Sequence, residues 1–281
     1  MKVLVTGYSG QLGYDVVRQL QKRNIDYIGT TREDFSLTDI DKMRLFILNY
    51  LPDVIVHCAA YTAVDKAEDE IKLCTQVNAI ATEEIAKMCK QINAKMIYIS
   101  TDYVFSGIGE NFYEVEDKKQ PQNIYGKTKL AGEISVQKIL EKYFIVRISW
   151  VFGKNGKNFI KTMLNLAKTH NELSVVNDQI GSPTYTKDLA ILLCDMLVTE
   201  KYGIYHATNE GICSWYEFAK EIFKQKNIDI TINPVPSTQF KTRAIRPHNS
   251  RLSKDCLDKN GFKRLPDWKN ALNRYLKELS L

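Results

Sequence analysis

The residues best suited to chemistry begin at the sixth position. Thr6-Gly7-Tyr8-Ser9-Gly10-Gln11-Leu12-Gly13 ends a short apolar run, Met1 to Thr6, and opens an amphipathic one, Leu12 to Arg23. Strand, glycine turn and helix in that order make an anion site. Glycine permits a tight turn and close backbone approach, and the helix start offers free N–H groups and the positive end of its dipole to a pyrophosphate. With 14 glycines in the chain, a Gly-x-x-Gly-x-x-Gly spacing arises by chance only ~0.04 times. Gly7, Gly10 and Gly13 are therefore candidate dinucleotide ligands. The end of the second strand decides which dinucleotide, because an acid there meets a ribose 2′-hydroxyl and a basic residue accepts a 2′-phosphate. Arg32 comes first in Gly29-Thr30-Thr31-Arg32-Glu33-Asp34, so NADPH is expected; a shift of one residue would bring Glu33 to the position and favour NADH. Other chemistries drop out. The histidines His57, His170, His206 and His248 lack metal-protease spacing, and there is no Gly-x-Ser-x-Gly elbow and no phosphate-loop lysine.

The elements that must position these residues follow from periodicity. Met1 to Thr6, Tyr27 to Thr30, Val54 to Cys58, Lys95 to Ser100 and Phe144 to Ser149 read as buried parallel strands. Helical spacing fills Leu12 to Arg23, Asp39 to Leu51, Glu68 to Ile92 and Ile124 to Tyr143 between them. The expected class is α/β, a doubly wound parallel (Rossmann) sheet, with ligands at the carboxyl ends of the strands. After Trp150 the texture turns loop-rich, with helices over Asn158 to Thr169, Lys187 to Thr199, Ser214 to Lys226 and Asp267 to Leu279. We therefore expect a dinucleotide-binding domain over 1–152. Residues 153–281 form a smaller substrate lobe, some segments of which return to the first domain.

Composition narrows the partners. The chain has 281 residues, 44% hydrophobic and 26% charged, with a net charge of +6. Basic and acidic residues interleave with no basic run, so nucleic acid is not an expected partner. No apolar run is long enough for a membrane span, and the first strand lacks a signal peptide's length and cleavage site. The six cysteines are scattered without a Cys-x-x-Cys pair, so a reducing cytoplasm is the expected location.

The three-and-three glycine spacing resembles the short-chain dehydrogenase/reductase superfamily, particularly its extended branch. That resemblance implies a Tyr-x-x-x-Lys pair after the fourth strand. Two such pairs exist, Tyr125–Lys129 and Tyr216–Lys220, about as many as chance supplies. Tyr125 follows the strand end Ser100-Thr101-Asp102-Tyr103 by one loop, whereas Tyr216 lies in an amphipathic C-terminal helix. Reducing a ketone leaves an alkoxide that needs a proton. An ammonium one helical turn from a phenol favours the phenolate and lowers the phenol pKa, so Tyr125 would be the acid and Lys129 its partner and a ribose ligand. Side chains alternate at the strand end, so one of Ser100 and Thr101 faces the cleft; the extended-branch pattern selects Thr101, whose hydroxyl would polarise the carbonyl.

Gly10-Gln11-Leu12-Gly13, Val56 to Asp65, Ser100 to Phe105, Arg147 to Gly153, Asp178 to Thr184 and Arg246-Pro247 together resemble the dTDP-4-dehydrorhamnose reductase family. The resemblance implies that Gly10, Gln11 and Leu12 meet the cofactor pyrophosphate and that Ala60, Tyr61 and Thr62 line the nicotinamide-side ribose. It further implies that Thr101 and Asp102 face the sugar and that Trp150 walls its pocket. The reaction implied is NAD(P)H-dependent reduction of the 4-keto group of a nucleotide-linked 6-deoxyhexose. Phe35-Ser36-Leu37-Thr38-Asp39 departs from the family's Leu-Asp-Ile-Thr-Asp, so the adenine-side contact is not carried over. Some relatives hold magnesium at a dimer contact; Asp15 is the single candidate ligand, and both Mg2+ and a homodimer stay open. A substrate pyrophosphate needs its own cation, and in Lys241-Thr242-Arg243-Ala244-Ile245-Arg246-Pro247 the proline restricts and so helps aim Arg246, with Arg243 as the alternative. Two rivals remain. A dehydratase or epimerase of the same branch is one, although Asp102 is followed by Tyr103 where dehydratases carry a Glu base. The other is a non-catalytic cofactor-binding regulatory subunit, against which intact Thr101, Tyr125 and Lys129 argue.

Overall fold

A computed structural model describes residues 1–279. Its centre is a six-stranded sheet of β1 (Lys2–Thr6), β2 (Asp26–Thr30), β3 (Val54–His57), β4 (Lys95–Thr101), β5 (Tyr143–Ile148) and β6 (Gly203–His206), in the order β2-β1-β3-β4-β5-β6. Every pairing is parallel. The strands read as unbroken apolar runs because both faces are covered. Alternate residues feed opposite cores: Val3, Val5, Val54 and Val56 pack on one side, Leu4, Ile55 and Met96 on the other. Each such buried side chain contributes about 1.5–3 kcal/mol. Helix α1 (Gln11–Lys22) covers the first face together with the helix Thr186–Leu197. The helices Ile40–Tyr50, Ala81–Gln91 and Ile124–Ile139 cover the second. The chain leaves β1 toward β2 on one side and returns through β3 on the other, so the switch point opens at Gly7 and Cys58, just past the carboxyl ends of β1 and β3.

Two expectations need correction. The stretch Glu68 to Ile92 is helical without a break from Ile71 to Gln91, but not uniformly so: Ile71–Thr75 and Ala81–Gln91 are joined by a π-helical turn, Gln76–Ile80. The wider turn frees the Asn78 side chain to bond outside the helix. The sixth strand, β6, falls in a stretch expected to be irregular: its four residues begin at the glycine of the Tyr202-Gly203 pair and carry too little period to register. It closes the sheet edge from a point in the sequence well past residue 153.

The remaining residues build a third core around Phe152, whose ring centroid lies 5.2 Å from those of both Tyr185 and Tyr275. A reciprocal Ser214–Glu217 capping box starts the helix Trp215–Lys226 and a left-handed Asn227 ends it. This body is tied across the glycine turn: Gln11 Oε1 accepts from Gly153 N at 2.9 Å and Asn158 Nδ2 at 3.0 Å, and Asn155 Nδ2 donates to Ser9 O at 2.7 Å.

Candidate active site

The glycine turn has no room for side chains. Gly7 adopts φ +73°, and a Cβ there would lie 2.9 Å from Ala59 Cα; a Cβ on Gly13 would lie 2.3 Å from Gly7 O. Gly10 caps α1 without a side-chain acceptor, and the first turn carries no acid. The helix therefore presents unclaimed N–H groups and an uncompensated positive end. The Gln11 side chain is committed to Gly153 and Asn158, and Leu12 is buried in the core, so both offer an anion only their backbone. This cradle fits a dinucleotide pyrophosphate. Arg32 and Glu33 are both exposed at the end of β2, and among the described residues the Arg32 side chain has no hydrogen-bond or ion-pair partner.

Across the switch point, the helix Ile124–Ile139 is pressed onto β4. A Cβ on Gly126 would lie 2.3 Å from Tyr103 O, and one on Gly132 2.4 Å from Tyr98 Oη. Asn123 caps the helix by accepting from Gly126 N at 2.8 Å and donates to Ile245 O at 2.8 Å. Tyr125 is buried beside Thr101, whose Oγ1 donates to Asp102 Oδ1 at 3.0 Å and accepts from Tyr103 N at 3.2 Å. Burial holds the Tyr125 phenol above its ordinary pKa; Thr101 opposes this, and Asp102 and Tyr103 add to it. The shift is upward, opposite to the lowering expected from Lys129, which is not among the groups that move it. Lys129 is 2% exposed with Nζ 4.1 Å from the Tyr98 ring centre, and burial pushes its pKa down to about 7. Asp102 accepts from Ser250 Oγ at 2.5 Å, and its burial raises its pKa to about 6.

The other expected residues fall as follows. Thr62 is exposed and Ala60 half-buried. Tyr61 turns its hydroxyl outward to Glu70 Oε2 at 2.7 Å, while its backbone N–H and C=O are both held by the Asn78 amide at 2.8 and 3.1 Å. Trp150 adopts φ +50°, unusual for a bulky residue and costly enough to mark a constrained position. It stacks on Trp215 with ring centroids 3.7 Å apart. Arg246 pairs with Asp65 Oδ2 at 2.5 Å and lies beside the Tyr103 side chain, which faces Tyr125 edge-on at 5.5 Å. Arg243 is mostly exposed and pairs with Asp69. Asp15 turns inward, accepting from Thr186 Oγ1 at 2.5 Å. Among the described residues no three His, Cys, Asp or Glu side chains gather as a metal site.

Comparison with known proteins decides the lineage. The RmlD substrate binding domain family model matches residues 1–281. The chain belongs to this family. It is 42% identical over 279 residues to the spore coat polysaccharide biosynthesis protein SpsK of Bacillus subtilis strain 168, covering 99% of this chain and 98% of that one. It superimposes with a TM-score of 0.98 on a dTDP-4-dehydrorhamnose reductase from Clostridium acetobutylicum, at 41% identity and covering both chains completely. The Bacillus anthracis dTDP-4-dehydrorhamnose reductase in complex with NADP gives 0.96 at 42% identity, covering 99% of each. In this member the fold draws in residues that sequence reasoning missed. Asn78 bonds Tyr61, Cys74 Sγ and Thr128 Oγ1 together, Asp65 receives Arg246, and Ser250 holds Asp102. Asp65 ends one of the segments that carried the resemblance and Arg246 opens another, so an acid–base pairing between them was the signal available; Ser250 and Asn78 offered none.

Proposed function

We propose that the protein reduces the 4-keto group of dTDP-4-dehydrorhamnose with NADPH to give dTDP-L-rhamnose. The reading is carried by one juxtaposition: Tyr125, Thr101 and Lys129 meet at the carboxyl edge of the sheet beside an anion-ready helix start. The full-length similarity to named dTDP-4-dehydrorhamnose reductases, one of them in complex with NADP, supports it.

When bound, NADPH supplies a hydride to the carbonyl carbon. Residues 1–152 hold it: the backbone at Gly7, Gly10, Gln11, Leu12 and Gly13 takes the pyrophosphate, Arg32 the 2′-phosphate, and Ala60, Tyr61, Thr62 and Lys129 the nicotinamide-side ribose. Thr101 donates to the carbonyl oxygen as negative charge develops there, and Tyr125 gives that oxygen its proton. A phenol with a raised pKa remains a far stronger acid than the alcohol being formed, so the transfer is downhill. The Lys129 ammonium stabilises the phenolate left behind until it is reprotonated from solvent. Asp102 faces the sugar, Trp150 supplies an apolar wall held by Trp215, and Arg246 takes the substrate pyrophosphate.

The test is NADPH oxidation against a panel of 4-keto nucleotide sugars, with the product identified. Turnover of dTDP-4-dehydrorhamnose to dTDP-L-rhamnose is expected. Inertness toward it, or purification with tightly held NAD and epimerisation without net oxidation, overturns the reading.

A further inference from the structure

Beneath the Tyr125–Lys129 turn lies a buried ion pair that the chemistry above leaves unused. Glu133 follows Lys129 by one helical turn and is 1% exposed, and Arg147 on β5 is completely buried. Arg147 Nε donates to Glu133 Oε1 at 2.9 Å and Nη2 to Oε2 at 2.7 Å. Ser100 Oγ donates to the same Oε1 at 2.5 Å. The remaining Arg147 nitrogen donates to Val115 O at 2.9 Å and His206 Nε2 at 3.3 Å. Ser100 sits opposite Arg147 in the β4–β5 register and immediately precedes Thr101. One carboxylate thus joins the helix carrying the phenol and ammonium to the strand end carrying the hydroxyl.

Stability does not account for the arrangement, because a buried ion pair is often matched or bettered by well-packed apolar side chains. Charge and register do. The titratable groups facing Lys129 are His57 and Cys58 at the end of β3, Cys74 from the helix Ile71–Thr75, Tyr98 from β4 and Glu133 from its own helix, on which Tyr125 lies one turn earlier. Burial holds His57 down at about 3 and Cys58 up at about 12, and raises Cys74, Tyr98 and Tyr125. All five are uncharged near neutrality. Glu133 is the negative charge facing the ammonium among the described residues, and it opposes the desolvation that disfavours the charged lysine.

We infer that Glu133, clamped by Arg147 and Ser100, is a positioning residue for the reduction: it sets the register of the Tyr125–Lys129 helix against Thr101 and keeps a negative charge one turn from the Lys129 ammonium. The inference rests on the assignment of Tyr125 and Lys129 as the reacting pair. Ser100→Ala loosens the register while keeping the charge, so kcat falls several-fold with the pH dependence unmoved. Glu133→Gln removes the charge, and the pH above which activity is lost moves lower by about one unit or more. The Lys129 titration followed by NMR of Cε-labelled lysine moves with it. Glu133→Leu combined with Arg147→Met replaces the pair by apolar groups and avoids an orphaned guanidinium should Glu133→Gln fail to fold. A shift in the same direction is expected, because the charge that acts on Lys129 is that of Glu133 and not that of Arg147. A Lys129 midpoint that stays in place in a folded variant lacking the Glu133 charge, with kcat merely scaled down, overturns the inference. The NMR midpoint reads the charge whether or not Lys129 is catalytic, so a failure of the reacting-pair assignment shows separately, as normal turnover in Tyr125→Phe.

Discussion

Replacing Arg246 by alanine tests how the anionic half of the substrate is held. In the ligand-free protein the guanidinium is engaged by Asp65 and lies against Tyr103, one ring away from Tyr125. The backbone beneath it is fixed independently: Ala244 is buried, Asn123 Nδ2 holds Ile245 O, and Pro247 packs on Gly107, where a Cβ would lie 2.4 Å away. Losing the side chain should therefore leave the loop in place. A charge-assisted bond to a phosphate is worth roughly 1.5–3 kcal/mol. Binding must first break the Asp65 pair, whose partners are 34% and 39% exposed; an exposed pair of that kind is worth at most about 1 kcal/mol. The net loss of about 1–2 kcal/mol predicts a KM for the nucleotide sugar raised roughly 5- to 30-fold, with kcat and the cofactor KM nearly unchanged. Asp65→Asn releases the arginine and should leave the sugar KM equal or lower. Steady-state kinetics with each substrate varied in turn measures all three. If Arg246→Ala raises both KM values equally, or neither, the loop is not the clamp.

Tyr125→Phe should lower kcat by about 10² or more with cofactor affinity nearly intact, since it removes only the proton donor; stopped-flow turnover with fluorescence-monitored NADPH binding checks both halves. Lys129→Met should weaken turnover and cofactor binding together. It should also stabilise the fold near pH 7: a lysine held at about 7 when folded but near ~10.4 when unfolded makes stability rise as pH climbs between those values. The variant's advantage in Tm should accordingly shrink toward the upper end of that range. Arg32→Ala should raise the KM for NADPH about tenfold and leave that for NADH unchanged, on the scale of one lost charge-assisted bond. An NADH preference in the parent that survives the substitution assigns the 2′ position to Glu33 instead.

What the sequence made legible and what it hid divide along a physical line. Period and turn chemistry are local, so the five long strands, α1 and the glycine turn could be placed within a residue or two. The π-helical turn could not, because one extra residue in a helix leaves almost no trace in a pattern of 3.6; the Asn78 amide's engagement with Tyr61 and Thr128 that accompanies it is visible only after folding. The Tyr125 phenol shows the same limit in energetics. Spacing put Lys129 one turn away and implied a lowered pKa, yet burial beside Asp102 and Tyr103 determines the sign. Pair rules for exposed helices presume solvent, and this turn has little. Trp150 and Arg246 are intermediate cases. The family resemblance marked Trp150 and the residue types of its loop marked Arg246 as ligand-facing, but the Trp215 ring that stacks on one and the carboxylate that receives the other lie 65 and 181 residues distant. Long-range partners of this kind determine how much of each side chain's interaction energy is already spent before a ligand arrives. That is why the expected effect of losing Arg246 is set by its exchange between Asp65 and a phosphate rather than by the phosphate bond alone.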